Sequence, residues 1–198
     1  MSEPEPSLAK SLRVCIVAPS LRYVGGQSVQ ADLLLRHWQN DPDIDITFLA
    51  VDPPLPRVLA WAESIPGMRT ILREPIYFWH LWRGLKSVDV AHIFSASYWS
   101  FLLAPAPAWL FAKLRGCKTL INYHSGEARD HLQRFRSGKF VLSRADKIVV
   151  PSGFLVDVFH EFAHGVEIYQ TVPSFAPHQA LCPTSLNERQ VRRETLRI

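Results

Sequence analysis

Cysteine is scarce in this sequence: Cys15, Cys117 and Cys182 are the only three in 198 residues, widely spaced and odd in number. No CxxC pair occurs, so neither a disulfide framework nor a zinc site is indicated. The eight histidines are scattered rather than clustered, and no metal and no cofactor is expected. GxGxxG and the P-loop signature are absent, which argues against the usual dinucleotide and ATP readings. No Ser/His/Asp or Cys/His set assembles from spacing. The net charge of +4 is too mild to argue for nucleic acid, and no such partner is expected. The opening Met1-Ser2-Glu3-Pro4-Glu5-Pro6 lacks the basic-then-apolar order of a signal peptide, so a reducing, cytoplasmic setting is expected.

What is present suits a packed core: 47% apolar and 20% charged residues, with proline (15 residues) the one excess. The length is that of one domain with appendages, and residues 1–11 read as a disordered lead-in. Short apolar runs place strands at Arg13–Ala18, Asp45–Val51, Met68–Leu72, Val90–Phe94, Thr119–Tyr123, Lys147–Val150 and Val166–Val172. Helical patterns fall between them, over Gln27–Gln39, Pro56–Ser64, Pro75–Lys86, Tyr98–Leu114 with a break near Pro105 and Pro107, Ala128–Arg144, and Gly153–Phe162. Ala91–Ala112 is 22 residues without Asp, Glu, Lys or Arg, yet its His92, serines and prolines suit a buried strand and a broken helix better than a membrane span.

Strands alternating with helices argue for an α/β fold, a doubly wound parallel sheet in three α/β/α layers. Such sheets bind ligands beyond the carboxyl ends of their strands. Four loops therefore carry the candidate site: Ser20–Gln27, Ser95–Tyr98, His124–Glu127 and Pro151–Gly153. Gly25 and Gly26 open a helix just after the first strand, where free N–H groups attract anions, although a tight turn would need glycine equally. His124 follows a buried strand at the binding edge, placed to donate a hydrogen bond or move a proton, or to serve as a structural donor. Ser125, Gly126 and Glu127 lead into the next helix. Ser152 reads as an N-cap hydroxyl first and a phosphate contact second.

Two further features point outward. Lys113–Lys147 holds nine Lys/Arg and three Asp/Glu, a surplus of +6 that is either a solvated helix face or a surface for phosphates and acidic headgroups. Tyr77, Phe78, Trp79 and Trp82 crowd one helical turn and a half; core packing is the first reading, a dip into a membrane surface the second.

At these residues the chain resembles the N-terminal domain of glycosyltransferase family 4, retaining enzymes of GT-B fold. The resemblance rests on Val14–Trp38 with its Gly25-Gly26 loop, Asp89–Trp109, Thr119–Asp130 (TLINYHSGEARD) and Asp146–Val158 (DKIVVPSGFLVDV). It implies a Rossmann-like half of a GT-B fold over residues 12–175, with 176–198 an irregular or helical tail in place of the donor-binding domain. It also implies a nucleotide-sugar donor and a sugar acceptor, in some relatives membrane-linked. Gly25 and Gly26 would lie near the donor diphosphate or acceptor, and His124 near the reacting carbon as the catalytic residue. Ser125, Gly126, Glu127 and Ser152 would line the substrate. Relatives carry two glutamates eight positions apart in a second domain, and no such pair occurs here. The expectation is an acceptor-side domain, inactive alone and either truncated or acting with a separate donor-domain chain, or else a non-catalytic binding module. It is placed in the cytoplasm, with a peripheral contact at the inner membrane face.

Overall fold

A computed structural model describes residues 11–22, 24–65 and 67–171, so the expected tail and most of the lead-in lie outside the described residues. Six strands form one all-parallel sheet in the order β2-β1-β3-β4-β5-β6. They are β1 (Leu12–Ala18), β2 (Ile44–Ala50), β3 (Val90–Ser95), β4 (Lys118–Tyr123), β5 (Lys147–Val150) and β6 (Glu167–Gln170). Between them run α1 (Gly26–Trp38), a 3₁₀ segment (Arg57–Ser64), α2 (Met68–Gly84), α3 (Tyr98–Leu103), α4 (Pro105–Leu114), α5 (Ala128–Arg134), α6 (Arg136–Leu142) and α7 (Gly153–Phe162). This is the expected Rossmann-like α/β arrangement, the architecture of one half of a GT-B fold.

The direction of winding sets which face each helix covers. A parallel crossover is right-handed, so β1 to β2 and β2 to β3, which step in opposite directions, drop their helices on opposite faces. α1 packs on Ile16, Ala18 and Phe94. The alternate residues Cys15, Val17, Ala91, Ile93, Ile121 and Ile148 belong to the larger core, which α2 and α4–α7 cover. Val14 through Ala18 are each at most 1% exposed, which explains why β1 reads as an unbroken apolar run. The reversal between β1 and β3 is the topological switch point, where ligands of open α/β sheets bind.

Three expectations are corrected. Met68–Leu72 is not a strand but the start of α2, which passes straight through Pro75. Arg73, Tyr77 and Leu81, four residues apart, are the buried side of that helix, and this packing outweighs the β-like local run. Pro75 sits on the exposed side, where water can satisfy the carbonyl of Ile71 that loses its N–H partner. The single helix read over Ala128–Arg144 is two helices, because Phe135 is extended (φ −108°, ψ 96°) and places its ring against Tyr98, Trp99 and His131. Third, the aromatic run divides: Tyr77 is core, whereas Phe78, Trp79 and Trp82 face outward. The expected stop at Gly116 is present, with φ +76° after α4, a left-handed cap that a Cβ would strain.

Candidate active site

The carboxyl edge of the sheet is knitted by side chains from successive loops. Ser20 donates through its backbone N–H and its hydroxyl to the Asp52 carboxylate, at 2.7 and 2.6 Å, tying the end of β1 to that of β2. Across the switch point, Gln27 Nε2 donates to the Ser95 carbonyl at 2.8 Å. Ser97 and Ser125 share a hydroxyl–hydroxyl bond of 3.0 Å, joining the loop after β3 to the loop after β4. Tyr98 donates to Asp130 at 2.7 Å, and that bond together with burial pushes the phenol pKa up to about 12. Tyr98 holds a left-handed backbone (φ +55°), which is costly without glycine and marks the loop as built rather than relaxed.

Gly25 is the N-cap of α1, and its backbone N–H and C=O both bond the Ser28 hydroxyl at 2.9 Å. A Cβ at Gly25 or Gly26 would meet nothing within 4 Å, and neither has positive φ. The fold itself therefore does not require glycine at either position; close approach by another molecule would.

His124 stands at the top of a stack of rings. Its imidazole lies parallel to Phe94 (6.0 Å, 2°), Phe94 stacks on His92 (5.1 Å, 17°), and His92 meets Trp38 (6.1 Å, 48°). Burial lowers the His124 pKa, so the ring is neutral at physiological pH, and its Nε2 is buried without a hydrogen-bond partner among the described residues. His92 beneath it is fully buried, neither ring nitrogen has a partner among those residues, and desolvation pulls its pKa down to about 4. On the other face His131 Nδ1 bonds the Tyr123 hydroxyl at 2.8 Å, and burial brings its pKa down to about 4 as well. A Cβ on Gly138 would come within 2.9 Å of His131 Nε2, so this glycine is required by close approach.

The expected site residues are thus partly brought together. Bonds link the loops holding Gly25–Gly26, Ser97 and Ser125, and His124 packs on Phe94 of the intervening strand. Ser125 also accepts from the Glu127 N–H at 3.3 Å, while Gly126 and Glu127 are exposed at the start of α5. Ser152, one strand further out, is the N-cap residue of α7, but its hydroxyl makes no capping bond; the capping expectation is corrected, and its carbonyl alone receives Leu155 and Val156. The bonds of Gln27, Ser97, Tyr98 and Asp130 close gaps of 28 to 68 residues that spacing does not show, and His131 bonds Tyr123 eight positions before it. Only Gly138, a helical glycine, gave a local hint of His131.

Against the expectation that no HExxH occurs, His160-Glu161-Phe162-Ala163-His164 has that spacing. A zinc helix needs both histidines on one continuous helical face. Here α7 ends at Phe162, His164 lies in the following turn, and Glu161 pairs with Arg129 at 2.8 Å. Among the described residues no group of three or more His, Cys, Asp or Glu could hold a metal ion.

A parallel sheet with a reversal at β1/β3, and with a glycine-opened helix and a histidine stack on one face, has the architecture in which open α/β sheets bind ligands. The model of Glycosyltransferase Family 4 matches residues 24–168, most of the chain, and the chain belongs to that family. No curated protein matches it.

Proposed function

We propose that this domain forms the acceptor side of a retaining transfer of sugar from a nucleotide-sugar donor. The observation that carries the reading is the carboxyl edge, where two glycines that the fold does not need open α1 and a neutral histidine with an unpartnered buried nitrogen follows β4. In this reading the N–H groups opening α1 receive the donor diphosphate or the acceptor at Gly25 and Gly26. His124 meets the donor sugar near the reacting carbon and donates a hydrogen bond as a neutral imidazole. Ser125, Gly126 and Glu127 shape that rim, and the Ser152 hydroxyl, spared from capping, contacts phosphate. Attack is from the front face, with the donor phosphate taking the acceptor proton and no metal required.

The donor-binding glutamate pair that relatives carry is not found in these 198 residues. In this reading turnover requires a donor-binding domain facing this one. The test is a transfer assay over candidate nucleotide-sugars, with and without such a domain. No turnover is expected alone. With the domain supplied, His124→Phe, which keeps the stack on Phe94, lowers turnover about a hundredfold while the melting temperature is unchanged. Robust turnover by these 198 residues alone would overturn the need for a donor-binding domain.

A second reading, a non-catalytic binding module in the cytoplasm, is favoured by one observation: the Ser125 hydroxyl is already engaged by Ser97 and Glu127. It would be supported by nucleotide-sugar binding in calorimetry with no transfer under any pairing.

A further inference from the structure

The outward sides of α2 and α4 are apolar where a surface helix should be polar. On α2, Ile71, Pro75, Phe78 and Trp82 follow one another at steps of four, three and four, so they fall on one stripe. That stripe lies away from the buried Arg73, Tyr77 and Leu81. Ile71 is 68% exposed, and Trp79 beside the stripe is 56% exposed. α4 repeats the three-and-four step with Pro107, Leu110 and Leu114, and Leu114 is 64% exposed. Phe111 joins the two stripes, 5.9 Å from the Phe78 ring and 6.3 Å from that of Trp82. Two neighbouring helices thus present one continuous apolar surface, of a kind that single surface residues do not explain.

The rim of that surface is cationic. Arg115 lies 3.5 Å over the Trp82 ring, and Arg83 lies 5.4 Å over Trp79. Lys86 follows at the end of α2 and is exposed. Of the seven Lys/Arg between Gly67 and Lys118, Arg73 is buried against Glu63 and Lys113 and Lys118 pair with Asp146, which leaves Arg69, Arg83, Lys86 and Arg115; the acidic residues of the stretch are Glu74 and Asp89. Glu74 is half-buried, and Asp89 is paired with Arg13. Much of the surplus in Lys113–Lys147 is by contrast spent internally: Lys113 and Lys118 on Asp146, Arg129 on Glu161, Arg134 on Asp130, and Lys147 on Glu167.

We propose that the paired outward stripes of α2 and α4 are a docking surface for an anionic lipid bilayer, with both helices lying along the interface. Indole rings among aliphatic residues, edged by Arg and Lys, match the boundary between acyl chains and acidic headgroups. A second copy of the chain fits poorly. A two-fold contact would bring together two copies of a rim carrying Arg83, Lys86 and Arg115, with no exposed acid on either helix to compensate. The proposal rests on this surface alone and does not require sugar transfer.

The test is flotation of the full chain with vesicles of 30% phosphatidylglycerol in phosphatidylcholine and with pure phosphatidylcholine vesicles, together with tryptophan emission. Binding to the anionic vesicles with a blue shift is expected, weaker on the neutral ones and reduced by high salt. Trp79→Glu with Trp82→Glu lowers the bound fraction at least tenfold. Leu33→Glu, an equally drastic change at a 60% exposed position on α1, leaves binding intact and controls for folding together with circular dichroism. No binding to either vesicle overturns the proposal, as does binding that the paired tryptophan variant leaves unchanged. A lipid-free dimer that this variant makes monomeric would also overturn it, and would assign the stripes to a protein contact.

Discussion

The two edges of the sheet are held by different chemistry. At the amino edge, carboxylates do the joining. Asp89 grips Arg13 through both oxygens, and Asp146 binds Lys113 and Lys118 as well as the backbone and hydroxyl of Thr119. At the carboxyl edge the inner bonds are between hydroxyls, amides and neutral imidazoles, stacked between rings. Charge is spent where strands begin and withheld where ligand would arrive. An edge mostly of neutral donors keeps its hydrogen bonds available to an anionic guest; Asp52, taken up by Ser20, and Asp130, turned to Tyr98 and Arg134, break the pattern.

The largest blow to the carboxyl edge should come from Gly138→Val. Its Cβ would be driven against the buried His131 ring, and a loss of about 3 kcal/mol is expected by urea unfolding. An unchanged midpoint would mean that His131 swings aside freely. At the amino edge, burial opposes the Asp146 carboxylate, but hydrogen bonds from Lys113 and Thr119 hold its pKa down to about 2. The folded value lies below the unfolded one, so the stabilisation is present above pH 4 and lost as pH falls toward 2. Asp146→Asn is expected to cost about 2 kcal/mol at neutral pH and nothing near pH 2.

His92 responds in a different window. Its unfolded pKa is near the ordinary 6.5 and its folded pKa about 4, so between these values the unfolded chain binds more protons and stability falls as pH falls. His92→Phe should remove that slope, gaining about 2 kcal/mol at pH 5 and little at pH 7. Acid would then weaken the two edges in sequence, the histidine stack first and the carboxylates afterwards. A single acid transition unaffected by either substitution would erase the distinction.

Much of this was legible in the sequence, for a physical reason. Strands buried on both faces leave unbroken apolar runs, so β1, β3, β4 and β5 are readable to within a residue or so at each end. His124 and the Gly25-Gly26 loop stand out because the position just after such a run is the binding edge whatever the family. Met68–Leu72 misled because its five residues suit a strand, and only Tyr77 and Leu81, outside the window, commit them to a helix. The break at Phe135 depends on rings of α3 more than thirty positions earlier. The bonds of Gln27, Ser97 and Tyr98 are likewise invisible to spacing, since each closes a gap of 28 to 68 residues.

The amide of Gln27 has a consequence of its own. It is the strut between the first turn of α1 and the last carbonyl of β3, so the separation of the Gly25-Gly26 turn from the end of β3 is gauged by the length of one side chain. Asparagine, a methylene shorter, would tilt that turn inward or let it go, and the mouth would change its aperture without any change in its lining.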